Sequence, residues 1–438
     1  MKDSRQTKSF PASSRDKILP SKGRPDLWQQ QLVAARSATE NTPLKESGVS
    51  LYVHFPYCQS KCRYCDFNSY AWTGQNMEAY VDAVLQEARS VAKELLPQTV
   101  FIGGGTPSLL SPQLLDRLLR GLADISGFVH SSKETTLEAN PESFSREKAS
   151  LAKDLGITRI SLGIQSLRQE VLQAYDRVHD PEQALKALDA AQEVGFAHCN
   201  ADLIFAFPGQ NPEHWWQDLH TVLASGIDHL SAYELSYEPG TALTRLNQAG
   251  RWPAENPDHC QALFEGTRQA CHQAGFGGYE VSNFAKSGAA CLHNLVYWRS
   301  HSYVGLGAGA HSWYQGNRVQ NLPSPEDYLA TIQNRGQAIQ EKQRPSPGTL
   351  LFEILMMGLR LPHEGVNLDR AEKLTELDAL EYFGDPLSSL LDRKWLCLET
   401  GSQKERYLRA TETGFLLLDE ILLQLLPDDS NSPARKAQ

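Results

Sequence analysis

No apolar run in the 438-residue sequence approaches the roughly 18 to 20 residues needed to cross a bilayer, and no secretory-type apolar core follows its start. The expectation is a cytoplasmic protein, neither spanning nor secreted. An excess of positive charge is also missing. With 42 Lys and Arg against 52 Asp and Glu the net charge is -10, the wrong sign for a general nucleic-acid binder, which gains affinity by releasing counterions onto a basic surface. Disulfide spacing is absent as well. Cys199, Cys260, Cys271, Cys291 and Cys397 are scattered, which suits a reducing compartment.

What is present is one crowded stretch, YVHFPYCQSKCRYCDFNSY from Tyr52 to Tyr70, carrying Cys58, Cys62 and Cys65. Thiolates are soft ligands for iron-sulfur clusters or zinc, and thiols this close form a multidentate site when they stay reduced. A 4Fe-4S cubane held by three cysteines leaves one iron without a protein ligand, open to a small molecule. The competing reading is a structural zinc ion with His54 or Asp66 as fourth ligand.

Residues 1–47 are rich in Ser, Lys, Arg and Pro with little apolar periodicity, and read as a flexible extension. A transit peptide is the sharper reading of that segment, although Asp3, Asp16 and Asp26 are unusual for one. Over 48–240 apolar β-type runs alternate with helical patterns, giving six strands with crossover helices. That beat implies a parallel sheet, and a partial (β/α)6 TIM-type barrel is favoured over a doubly wound one. Residues 241–345 are Pro-, Gly- and aromatic-rich and read as loops and short strands that complete the barrel. From 346 to 438 the order helix, helix, hairpin, helix suggests a small α+β, winged-helix-like domain.

The spacing C-x-x-x-C-x-x-C after a strand, in a chain that continues as a βα barrel, resembles the radical S-adenosylmethionine (SAM) superfamily over roughly residues 50–240. The resemblance implies that Cys58, Cys62 and Cys65 hold a 4Fe-4S cluster and that SAM chelates its open iron. Gly103, Gly104, Gly105 and Thr106 end the strand VFIGGG, where bare backbone lets a ligand approach closely. At this location GGTP resembles the segment that holds the cofactor's methionine amine. Glu138, Gln165, Arg177 and Asp202 fall at or just past the ends of successive β runs, on the rim where barrel active sites lie. Singly, each would serve as a helix cap or surface ion pair. Together they offer an Arg for a carboxylate, acids for an amine or ribose hydroxyls, and an amide for either. They match cofactor-contacting positions of the oxygen-independent coproporphyrinogen III oxidase branch, and Tyr52 and Tyr64 match two more.

Within that branch YVHFPYC, CDFNSY, FIGGGTPSLL, LEANPES, LGIQSL and DLIFAFPGQ look like the oxidase-related heme chaperone type. The oxidase carries a fourth cysteine two residues after the third, where this chain has Phe67. In CLHNLVYW, Cys291 to Trp298, a neutral imidazole beside aromatics could ligate heme iron, be a packed core histidine, or with Cys291 form half a zinc site. The HN-x-x-YW string resembles the heme-binding signature of the chaperone type, which implies His293 as heme ligand, with His301 and His311 as nearby candidates for a second. The expected function is heme binding and transfer to acceptor hemoproteins such as respiratory enzymes. The resemblance also leaves room for a homodimer and a peripheral membrane contact. The rival is an enzyme, a coproporphyrinogen III oxidase working through a 5′-deoxyadenosyl radical. A third reading, a winged-helix nucleic-acid regulator, rests on Arg393, Lys394, Lys404, Arg406 and Arg409.

Overall fold

A computed structural model describes residues 25–40, 44–402 and 404–427. Six strands follow the expected beat: β1 (Val49–Phe55), β2 (Thr99–Gly104), β3 (Glu134–Ala139), β4 (Arg159–Gln165), β5 (His198–Phe205) and β6 (His229–Glu234). They lie side by side in that order, all parallel. The crossover helices start where the local chemistry dictates. Ser111, Ser145 and Asp180 each cap a free N–H of the first turn of Pro112–Ser126, Arg146–Asp154 and Pro181–Val194. Gly127 and Gly195 close two of these helices in the left-handed conformation that a Cβ disfavours.

Parity along the strands sets what the barrel is for. One set of alternate residues, such as Leu137, Ile160, Leu162, Ala201, Leu203 and Leu230, packs under the helices in the main core. The other set is polar and faces the lumen: Thr136 and Glu138, Arg159 and Ser161, Asn200 and Asp202, His229 and Ser231. A lumen so lined cannot close as a dry core, because each of these groups needs a hydrogen-bond partner.

Distant segments widen the sheet. In the order β12-β11-β10-β9-β1-β2-β3-β4-β5-β6-β8-β7 it has 12 strands, with β7 (Gly277–Gly278), β8 (Asn283–Ala285), β9 (Ser302–Leu306), β10 (His311–Tyr314), β11 (Asn317–Asn321) and β12 (Ile339–Gln343). Strand β9 runs parallel to β1, adding a parallel neighbour from the far end of the sequence. The loop-like reading of 241–345 missed the 17-residue helix Pro257–Gln273, which Asn256 caps and which buries Cys260, Leu263, Thr267 and Cys271 on one face.

The C-terminal unit is winged-helix-like, as expected. Helices Pro347–Gly358, Leu368–Thr375 and Ala379–Asp392 precede a hairpin of Leu396–Thr400 and Arg406–Ala410, which Val366–Asn367 extends to three strands. Its core centres on Leu351, Leu355, Leu387, Leu408 and Ile421, and also takes in Trp28. That contact corrects the reading of 1–47 as a flexible extension: Pro25–Ala38 is a helix with Trp28, Ala35 and Ala38 buried. Arg268 stacks over both Trp28 (5.7 Å) and Phe415 (4.8 Å), tying helix Pro257–Gln273 to both ends of the chain. The transit-peptide reading falls mainly on residues 1–24, outside the described residues. Among the described residues no helix is long and apolar enough to cross a membrane.

Candidate functional site

The cysteine loop leaves β1 at its C-terminal end and is held on several sides. Tyr57–Cys58 pairs with Tyr70–Ala71 in a two-residue parallel ribbon. Lys61 Nζ donates to Ser69 O (2.9 Å), and Asn68 Nδ2 donates to Ala308 O (3.0 Å). Across the barrel mouth, Arg63 pairs with Asp176 at 2.7 Å and its backbone N–H donates to Tyr175 O at 3.1 Å. The loop is therefore fixed at both rims of the lumen, with its three thiols facing a cavity of about 440 Å³. Burial pushes the Cys58 thiol up to about 11, so in the free protein it carries its proton at neutral pH.

Eleven of the residues singled out from the sequence line that one cavity: Cys58, Cys62, Cys65, Tyr64, Gly104, Gly105, Thr106, Glu138, Gln165, Arg177 and Asp202. The glycine turn packs on the cysteine loop. Gly105 N and Thr106 N donate to Phe55 O (2.7 Å) and Tyr57 O (2.8 Å). Gly104 has φ +106°, and a Cβ on it would lie 2.4 Å from the His54 ring, so glycine is required here by packing as well as by ligand access. Its N–H donates to Glu138 Oε2 at 2.9 Å. Burial, resisted by that hydrogen bond and helped by the neighbouring Asp202, raises Glu138 to about 7. Asp202 is raised too, by burial, against hydrogen bonds that include Asn200 and Ser161. Two acids that resist ionisation in one cavity create a demand for a cation.

Arg177 supplies the opposite charge. Its Nη2 donates to Gly163 O (2.6 Å) and Asn140 Oδ1 (2.8 Å), while Nη1 lies 3.6 Å from Cys62 Sγ. Its Nε is buried with no partner, an unmet donor beside the thiols. Gln165, after a register shift in β4, is held at φ +67°, a strained conformation for a residue with a side chain, at the ligand rim. Thiols, unmet guanidinium donor, cation-seeking acids and open backbone together fit an iron-sulfur cluster with a zwitterionic ligand. They fit zinc poorly. His54 Nε2 must donate to the carbonyl of Asn68 (2.8 Å) and Nδ1 accepts from Tyr52 OH (2.8 Å), leaving no lone pair for a metal.

Tyr52 and His293 are not part of the cavity wall. Tyr52 spends its hydroxyl on His54 and packs on Phe101 and His293, with centroids 6.3 and 6.5 Å away. His293 is fully buried at the N-terminal end of the strands, stacked on Phe101 at 5.2 Å. Its Nδ1 meets Thr99 Oγ1 (2.8 Å) and its Nε2 meets Tyr297 OH (2.9 Å). Thr99 Oγ1 donates to Ser50 Oγ, so it accepts from Nδ1–H, and Nε2 accepts from Tyr297. Burial lowers His293 to about 3, so the ring is neutral. In this conformation no heme iron reaches it. Beneath the lumen lies a buried ion pair, Arg159 with Glu134 at 2.8 Å. Burial opposes the Glu134 charge, but Arg159 and the backbone N–H groups of His293 and Leu292 outweigh it and hold the carboxyl below its usual range.

Sequence reasoning missed the middle tier of the lumen. Asn140 links Arg177 to Thr106 (3.0 Å), and Asn200 links Ser161 (2.8 Å) to Asp202 (2.8 Å). The signal was the polar parity of β3 to β6. In the basic cluster of the C-terminal unit, Arg406 and Arg409 are spent on acidic partners. Arg406 pairs with Asp369, Glu372 and Asp378, each at 2.7 Å, and Arg409 pairs with Glu399.

Comparison with known proteins agrees with this chemistry. The Radical SAM superfamily matches residues 52–222 and the HemN C-terminal domain matches 346–417. The chain is 34% identical over 377 residues to Heme chaperone HemW of Bacillus subtilis (strain 168), covering 85% of this chain and 97% of that protein. It is 34% identical over 436 residues to the mitochondrial Radical S-adenosyl methionine domain-containing protein 1 of Mus musculus, covering 94% and 96%. Among solved structures, coproporphyrinogen III oxidase (HemN) from Escherichia coli superposes with a TM-score of 0.73 at 21% identity, covering 89% of this chain and 92% of that one, a likeness of fold.

Proposed function

This chain belongs to the radical SAM family that includes the heme chaperone HemW, and from that membership we propose that it binds heme and passes it to acceptor hemoproteins. The observation that carries the reading is the 34% identity to HemW over 97% of that protein, which spans the barrel and the C-terminal unit alike. The same membership gives the chain a 4Fe-4S cluster and SAM. When bound, that pair supplies one-electron chemistry at an iron with an exchangeable position.

The chain's own residues take the following roles in the proposal. Cys58, Cys62 and Cys65 hold the cluster. Glu138 and the backbone of Gly104, Gly105 and Thr106 receive the amine of SAM, Arg177 its carboxylate, and Gln165, Asp202 and Tyr64 its nucleoside. Tyr52 acts one layer down, orienting His54 behind the glycine turn. His293 carries the tautomer an axial ligand needs, with Nδ1–H anchored on Thr99, and would reach heme if helix Leu292–Trp298 lifts and Tyr297 releases Nε2. The rest of the proposal concerns setting. Residues 48–240 form the cofactor barrel, 241–345 the heme-handling region and 346–438 the C-terminal unit, in a cytoplasmic protein that serves respiratory enzymes. Exposed Leu423 and Leu426 suit a homodimer or a peripheral membrane contact.

Phe67 is 61% exposed at the cavity mouth, where it offers an apolar face in place of the thiol of the oxidase. Two assays test the reading. Heme-loaded protein mixed with an apo-hemoprotein should lose its heme to the acceptor, and retention by the donor would overturn the chaperone role. Anaerobic incubation with coproporphyrinogen III, reductant and SAM should give no protoporphyrinogen. Product at enzymatic turnover would make the chain an oxidase.

A further inference from the structure

The cavity that the thiols face does not end at the rim. It continues down the lumen to a floor built by three neighbouring strands, where Phe101 of β2, Thr136 of β3 and Arg159 of β4 stand side by side in register. This row lies below the residues assigned to SAM. Thr136 comes two residues before Glu138 on the same face of β3, which puts the floor about 7 Å beneath the rim at about 3.3 Å per residue. Asn294 of helix Leu292–Trp298 and its cap residue Cys291 close the floor from one side.

Among the described residues two groups of this floor have no partner. Arg159 is 1% exposed, and its Nε donates to Glu134 and its Nη2 to the carbonyls of Ala289 and Ala290, yet Nη1 is buried without a hydrogen bond. Thr136 Oγ1, on the adjoining strand, is buried and unpaired as well. Buried polar atoms in folded proteins are nearly always paired, so two unmet groups side by side on the wall of a cavity mark a place where something binds. Water satisfies polar groups alone. Phe101, the third member of the row, is only half-buried, and its ring offers an apolar wall that a ligand with a carbon body covers. Charge narrows the class. The guanidinium of Arg159 is already answered by Glu134 at 2.8 Å, and Glu138 and Asp202 overhead resist ionisation, so a carboxylate at the floor gains no free positive charge and meets two acids. An ammonium brings donors to a donor. What fits is a neutral oxygen.

We propose that the floor of the lumen binds a small uncharged molecule through a carbonyl or hydroxyl oxygen, which accepts from Arg159 Nη1 and hydrogen-bonds to Thr136 Oγ1, with its carbon body against Phe101. The barrel then holds a second small molecule in addition to SAM. The floor shares no side chain with the residues that receive SAM, and it does not depend on heme transfer, so it stands or falls separately from the chaperone reading.

The probe is acetamide, with acetate as its charged counterpart of the same size. Each is radiolabelled and brought to equilibrium by dialysis against the full-length, cluster-loaded protein saturated with SAM, so that Arg177 and the open iron are already occupied. Acetamide should be retained in a saturable manner, and acetate about tenfold more weakly or not at all. Thr136→Val keeps the shape and removes the hydroxyl. It should weaken acetamide retention about fivefold while melting no lower than wild type, because no hydrogen bond of the folded protein is lost. Arg159→Lys keeps a charge opposite Glu134 but has no Nη1, and should weaken retention about tenfold. Wild-type retention in Thr136→Val would overturn the site even if Arg159→Lys fails to fold. Equal retention of acetate and acetamide would overturn it too, and so would the absence of saturable retention by the wild type, which would leave the floor to water.

Discussion

Glu138 makes the SAM site pH-dependent in a way that can be measured. Its carboxyl, raised to about 7 by burial and by Asp202, is held by the Gly104 N–H and faces the cavity in which the cofactor amine is to be placed. Only its ionised form attracts the cationic amine. A group with a pKa of about 7 is roughly one tenth ionised at pH 6 and about three quarters ionised at pH 7.5, so SAM affinity should rise about eightfold over that interval. Above about pH 7.7 to 8.0 an α-amine loses its own proton, and the gain should reverse. Isothermal titration of the cluster-free protein, where no iron takes the lone pair of the amine, in buffers of different ionisation enthalpy reads both the affinity and the proton released on binding. Glu138→Gln should bind weakly, close to wild type at low pH, and show only the falling limb. A rise of the same size in Glu138→Gln would refute the assignment and point to Asp202. Stability gives an independent reading with its own sign. Because the folded value lies above the ordinary 4.5, the contribution of Glu138 is fully present below about pH 4.5 and is lost as pH rises through 7. The loss is at most about 3 kcal/mol, an upper figure because cavity water reaches the carboxylate. Chemical denaturation of the ligand-free protein should show that decline, saturating SAM should offset it, and Glu138→Gln should abolish it.

Three further changes probe the layers around this site. Arg159→Met leaves Glu134 buried without its partner, so it should destabilise by about 3–5 kcal/mol in urea unfolding, and adding Glu134→Gln should recover much of the loss; equal stability of single and double variants would contradict the pairing. Cys62→Ala should fold but bind no cluster after anaerobic reconstitution, and a full iron count would show that the triad is not the ligand set. Gly104→Ala drives a Cβ to 2.4 Å from the His54 ring at φ +106°, so it should cost about 1–3 kcal/mol and weaken SAM binding several-fold; wild-type binding and melting would mean that the turn tolerates a side chain.

The barrel was legible because its signals are local. Caps such as Ser111 and Asp180, closing glycines such as Gly127, and the βα beat determine where helices and strands begin, and a parallel sheet needs little else. The rim residues were legible for a related reason: a strand end is readable from sequence, and in this architecture strand ends converge. Tyr52 lies on β1, as the sequence reads, and its contact within the chain is a local one. Its hydroxyl points to His54, a relation between i and i+2 on one face that the strand's parity implies, since both side chains face inward. Helix Pro25–Ala38 was illegible because its stability is tertiary. Its sequence has weak periodicity, and what orders it is Trp28 packing on Phe415 and Arg268, residues hundreds of positions away.

His293 is the instructive case, because the same string supports two different physical roles. A histidine among aromatics can ligate a metal or can be a satisfied core residue, and composition does not separate the two. The deciding quantity is the fate of its ring nitrogens, which depends on Thr99 and Tyr297, the first nearly two hundred residues away in sequence and adjacent only once β2 is in place. By the same criterion Arg177 Nε, a buried donor with no hydrogen-bond partner, marks the cavity that the three thiols face. A ligand site is marked by what the folded chain leaves unsatisfied. Sequence strings report what the chain contains, and only the fold reveals which of those groups have already been used.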